Sequence, residues 1–222
     1  AWDIVQQTER AGGMASVLAD GSVAAAIDDA WHERLGRLAS RRDPLTGVSE
    51  FPDLDEAELD RPARGVEPGL PVRRLAAPFE ALRDAADRAA AAGARPTVFL
   101  AALGDLATHT ARSTWITNLL AVAGVAAVGA EAQGSMSPAE ARARFAESGS
   151  PVAVVCSSDG VYAEQAAATA TALKEAGAVK VVLAGAPGDL RDELDRAGID
   201  EYWHVGIDVL DALQRLHGDL GI

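Results

Sequence analysis

His109 is the residue in this sequence best placed to hold a metal or a cofactor. It follows an apolar run, Thr97 to Leu103, that is closed by Gly104. The polar stretch Asp105-Leu106-Ala107-Thr108-His109-Thr110-Ala111-Arg112 comes next. An apolar run stopped by glycine reads as a β-strand ending in a loop, with helical character resuming over Trp115 to Ala123. In an open α/β sheet that loop lies at the carboxyl end of the strand, where ligands bind. An imidazole there can ligate a metal when a carboxylate on its other ring nitrogen fixes its orientation.

Other residues with chemical potential read more plainly. His32, His204 and His217 have no Asp, Glu or Cys at metal-ligand spacing, so helix-surface or loop positions are expected and zinc is unsupported. Cys156 ends a buried strand and reads as an inert small hydrophobe, since no base is identifiable near it. Ser157-Ser158-Asp159-Gly160 reads as a helix N-cap turn and not as a catalytic serine. Gly185-Ala186-Pro187-Gly188 precedes a helix, but one Gly-rich turn without Lys or Ser is poor evidence for a phosphate cradle.

The elements that must position these residues alternate regularly. Strands are predicted at 97–103, 125–130, 151–156, 179–185 and 201–205, several of them short β-branched runs of the kind buried on both faces. Helices are predicted at about 112–123, 137–148, 160–176, 188–197 and 207–218. Five βα units describe one doubly wound, five-stranded parallel sheet with the order 2-1-3-4-5. Upstream, residues 1–42 read as two helices broken at Ala11-Gly12-Gly13 and Asp20-Gly21-Ser22. Their apolar stripes need a partner surface, either the α/β domain or another chain. Thr46 to Phe51 has the pattern of a short strand ended by Pro52. Asp53 to Pro78 is acidic and then rich in Pro and Gly, a linker, and Phe79 to Ala92 is an Ala-rich helix. The divisions are therefore 1–52, 53–96 and 97–222.

Bulk composition excludes several classes. A net charge of -13 argues against nucleic acid, because phosphate contacts need clustered Lys and Arg. No apolar stretch reaches the length of a membrane span, and no secretory signal is visible. A single cysteine excludes an internal disulfide and fits a reducing, cytoplasmic setting. The chain begins Ala1-Trp2-Asp3 without Met, in the manner of a piece of a longer protein.

Particular segments carry a resemblance. Ala1-Trp2-Asp3, Glu9-Arg10-Ala11-Gly12-Gly13-Met14 and Thr46-Gly47-Val48 resemble the last helices and tail of the TIM-barrel domain of the methylmalonyl-CoA mutases. Cys156-Ser157-Ser158, Val161-Tyr162-Ala163, Ala172 to Ala178 and Gly206-Ile207-Asp208-Val209 are similar to the C-terminal domain of their small (β) subunits. The resemblance implies a flavodoxin-like, cobalamin-binding type of fold preceded by a barrel tail and a linker. It also implies an adenosylcobalamin-dependent holoenzyme that interconverts methylmalonyl-CoA and succinyl-CoA. The small subunit would be the non-catalytic member of a heterodimer with a large (α) subunit, and a related acyl-CoA mutase, such as one acting on isobutyryl-CoA, is the neighbouring reading. Acyl-CoA would be bound only in the holoenzyme, and no catalytic residue is assigned to this chain.

The same resemblance defines what a cobalamin site requires. The binding domains carry Asp-x-His-x-x-Gly after strand one, Ser-x-Leu after strand three and Gly-Gly after strand four. His109, Ser157 and Gly185 align with these motifs. However, Ala107 replaces the Asp, Arg112 the Gly, Asp159 the Leu and Ala186 the second Gly. Loss of the carboxylate alone costs about 10- to 100-fold in metal affinity. Arg112 and Asp159 place charge where an apolar nucleotide tail would insert, and their pairing would close the cleft. The expectation is a degenerate site without bound cobalamin. The alternative is a genuine cobalamin module with His109 as its cobalt ligand.

Overall fold

The computed structural model describes residues 1–56, 73–129 and 136–222. Five short apolar runs form β1 (Thr97–Ala102), β2 (Ala126–Val128), β3 (Val152–Cys156), β4 (Lys180–Ala184) and β5 (Glu201–Trp203). They make one all-parallel sheet in the order β2-β1-β3-β4-β5, as expected from the alternation of strands and helices. Side chains alternate across it, with Val98 and Leu100 of β1 in one core layer and Phe99 and Ala101 in the other. Both faces are therefore apolar, which is why the strands read as continuous hydrophobic runs. The last position of the expected second strand, Ala130, and most of the expected linker, 57–72, lie outside the described residues.

Ten α-helices are formed among the described residues. These are α1 (Trp2–Arg10), α2 (Met14–Ala19), α3 (Ser22–Ala39), α4 (Ala77–Ala92), α5 (Leu106–Val122), α6 (Pro138–Ser148), α7 (Asp159–Val161), α8 (Ala167–Glu175), α9 (Arg191–Ala197) and α10 (Val209–Leu220). A π-helical segment, Tyr162–Ala166, joins α7 to α8. α4, α5 and α10 cover one face with Phe79, Leu82, Ile116, Leu119, Leu213 and Leu216. α6, α8 and α9 cover the other with Phe145, Leu173 and Leu194. α4 meets α5 closely at Gly124, where a Cβ would stand 2.6 Å from that of Ala86 and φ is +74°.

Two upstream expectations change. The N-terminal segment forms three helices instead of two, because Gly12, Gly13 and Gly21 all take positive φ. Only the end of α3 reaches the core, through the fully buried Leu38, which stabilises that docking by about 2 kcal/mol. Thr46 to Phe51 forms no strand, only a single bridge between Thr46 and Glu50. The Arg41 guanidinium donates to the Ser49 carbonyl at 2.9 Å and pairs with Glu50 at 3.1 Å, folding the segment into a loop. The Phe51 amide then donates to Asn118 of α5 at 3.2 Å.

Candidate functional site

His109 does not sit in a loop. α5 starts at Leu106, well before the expected 112, because the Asp105 carboxylate accepts the Thr108 amide at 2.9 Å and caps the helix. Hydrogen bonds from the Thr108 side chain and backbone hold the Asp105 carboxyl below its ordinary range. His109 thus lies about one turn inside a capped helix, 1% exposed. Its Nδ1 is 3.4 Å from Ser113 Oγ, and its Nε2 has no hydrogen-bond partner among the described residues. The carboxylate expected to orient such an imidazole is missing at Ala107, while Asp105 is engaged at the helix terminus.

The other expected positions converge around Arg112. Its Nη1 donates to the Ser157 carbonyl at 2.6 Å and its Nη2 to Asp159 Oδ1 at 2.5 Å. The Cζ atom lies 4.9 Å from the centroid of the Tyr162 ring, a cation–π contact. Gly185 forms the adjoining wall: a Cβ there would meet Arg112 Cζ at 3.2 Å, and its φ of +154° is unfavourable for other residues. Ser157 is buried and its hydroxyl donates to the Leu103 carbonyl at 2.8 Å. Ser158, not Ser157, is the N-cap residue of α7, and no side-chain cap bond accompanies it.

The residue that sequence reasoning missed is Tyr162. Its Oη accepts the Ser157 amide at 2.8 Å and donates toward the Ala184 carbonyl at 2.9 Å, with that of Val155 at 3.1 Å. One hydroxyl thereby laces the carboxyl ends of β3 and β4. The π segment that begins at Tyr162 is a local irregularity of the kind found at functional sites, but spacing gave no warning of it. Burial pushes both the Tyr162 phenol and the Cys156 thiol up, so neither supplies a nucleophile near neutrality. Burial opposes the charge on Arg112. The Asp159 hydrogen bond and the electrostatic pull of Tyr162 outweigh it, and the guanidinium pKa is raised.

Of the remaining histidines, His32 and His204 are exposed. His217 is buried, contrary to the surface role expected for it, because its Nε2 lies 3.0 Å from the Ala123 carbonyl at the end of α5. Among the described residues, no three His, Cys, Asp or Glu side chains are grouped so as to hold a metal ion. Nor is any helix among them long and apolar enough to cross a membrane.

No protein-family model matches the chain. Individual relatives do. The methylmalonyl-CoA mutase small subunit of Streptomyces virginiae is 45% identical over 225 aligned residues, covering all of this chain and 35% of the relative. The chain is homologous to part of the methylmalonyl-CoA mutase small subunits. A probable mutase small subunit of Mycobacterium tuberculosis is 40% identical over 223 residues, and the small subunit of Propionibacterium freudenreichii subsp. shermanii 35% over 227. Each match again takes in all of this chain, which spans about a third of the length of these mutase small subunits.

Proposed function

We propose that this chain is the C-terminal part of the small subunit of an adenosylcobalamin-dependent methylmalonyl-CoA mutase, a cytoplasmic isomerase interconverting methylmalonyl-CoA and succinyl-CoA. Its flavodoxin-like domain has a structural role beside a large subunit that carries the cofactor and the acyl-CoA. The match of all of this chain to about a third of the mutase small subunits supports the family reading. The observation that carries the non-binding role is the Arg112 guanidinium, seated against Ser157, Tyr162 and Gly185 in the crevice where a nucleotide tail would have to insert. A bulky ligand there must displace a charge from two hydrogen-bond acceptors, and an unpaired buried carbonyl is costly.

One observation favours the alternative. The Nε2 of His109 is buried without a hydrogen-bond partner among the described residues, and an available imidazole nitrogen is what a cobalt ligand needs. Titrating the full-length small subunit with hydroxocobalamin separates the two readings. The expected outcome is no binding by the isolated subunit, together with tight association to a large subunit that does bind. Micromolar binding with a histidine-ligated spectrum, lost in His109→Ala, would overturn the structural role.

A further inference from the structure

Three segments that are distant in sequence meet at one guanidinium. Arg112 comes from α5, Ser157, Asp159 and Tyr162 from the stretch that follows β3, and Gly185 from the end of β4. In strand order 2-1-3-4-5 the connections reverse direction between β1 and β3, and open sheets bind their ligands in the crevice outside that point. Arg112 occupies the side of this crevice that borders β3 and β4.

We propose that Arg112 is a positioning residue that serves as a built-in occupant of the crevice: it keeps the crevice shut and ties its walls together. The proposal rests on the reading that this domain holds no cobalamin, and it names the side chain responsible. Its anchoring is unequal. Asp159 is 81% exposed, so that ion pair is screened by water and contributes little. The strong contacts are the Ser157 carbonyl and the Tyr162 face, and Tyr162 in turn bonds the Ser157 amide and the Ala184 carbonyl. Arg112 therefore stands on a floor already fastened to two strands. Lysine lacks the planar fork needed to donate to a carbonyl and lie over a ring at once.

The chain contains its own reporter. Cys156 is the last residue of β3, fully buried, and directly precedes Ser157, whose carbonyl Arg112 holds. If Arg112 closes the crevice, its removal exposes this thiol without unfolding the sheet.

The test is native-state labelling of the full-length small subunit with N-ethylmaleimide, read on the peptide containing Cys156, beside hydrogen exchange. Arg112→Ala is expected to label Cys156 at least about tenfold faster than the wild type, Arg112→Lys several-fold faster, and Asp159→Asn within about twofold of it. The Ser157 amide should exchange faster in Arg112→Ala while the β1 amides stay protected. Should Arg112→Ala not fold, Arg112→Lys carries the same comparison. Unchanged labelling overturns the proposal, as does faster labelling that is matched by β1 exchange, which would mark a global effect. Hydroxocobalamin binding by the wild-type protein would instead overturn the reading on which the proposal rests. No binding together with unchanged labelling would remove the occupant role alone.

Discussion

Gly185 and Arg112 constrain each other. The glycine holds a φ of +154° and leaves room for a guanidinium whose Cζ would otherwise stand 3.2 Å from a Cβ. Gly185→Ala is expected to destabilise the subunit by about 1–3 kcal/mol, through backbone strain and crowding of Arg112. Because both act in one contact, Gly185→Ala combined with Arg112→Ala should cost less than the two single changes added together. Urea unfolding of the four proteins measures this, and strict additivity would show that the two residues do not share a site. The sequence announced part of this arrangement. Arg112 and Asp159 stand out as charges at positions where the cobalamin-binding pattern has Gly and Leu, and their pairing could be anticipated. Tyr162 could not, because its role lies in a hydroxyl reaching the ends of two strands that only the fold brings within 3 Å.

At the scale of elements, α10 and β5 carry the clearest pH dependence. Burial lowers the pKa of His217, whose neutral ring donates Nε2–H to the Ala123 carbonyl. The unfolded chain therefore takes up a proton near the ordinary value of 6.5 while the folded chain resists it. Stability from this contact is complete above that pH and falls as pH drops below it. His217→Gln should flatten the decline in unfolding free energy between about pH 7 and 5, and an unchanged slope would assign the decline to other groups. Glu201 is opposed by burial, yet hydrogen bonds from Arg215, Lys180 and Trp203 bring its carboxyl from 4.5 down to about 2. Its contribution is present above 4.5 and lost as pH falls toward 2. Glu201→Gln should cost about 1–3 kcal/mol at neutral pH, with the difference from wild type closing in strong acid. Denaturant titrations at several pH values follow both residues. The start of α5 was the element least legible in advance. Thr108 and Thr110 weaken its helical signal, and the cap at Asp105 decides the matter.

Over the whole molecule, the sheet order and its two apolar faces were readable because β-branched strands and turn glycines recur at nearly even spacing. The fate of the N-terminal helices was not readable, since an apolar stripe shows that a partner is needed and not which one. Trp2 and Ile4 are 69% and 67% exposed, and α1 buries no residue. A surface of this kind is expected to be covered by a partner surface in the full-length assembly. Hydrogen exchange should show α1 to α3 strongly protected there, and full exchange of these amides in the assembly would contradict it. The contact between α4 and α10 has a consequence for the order of events during synthesis. Phe79 and Leu82 of α4 emerge first, and Leu213 and Leu216, with which they share a core, follow about 130 residues later. Closing so long a loop yields nothing until its far end is made. Until α10 is made, the growing chain carries an open apolar layer, the kind of surface that is prone to aggregate.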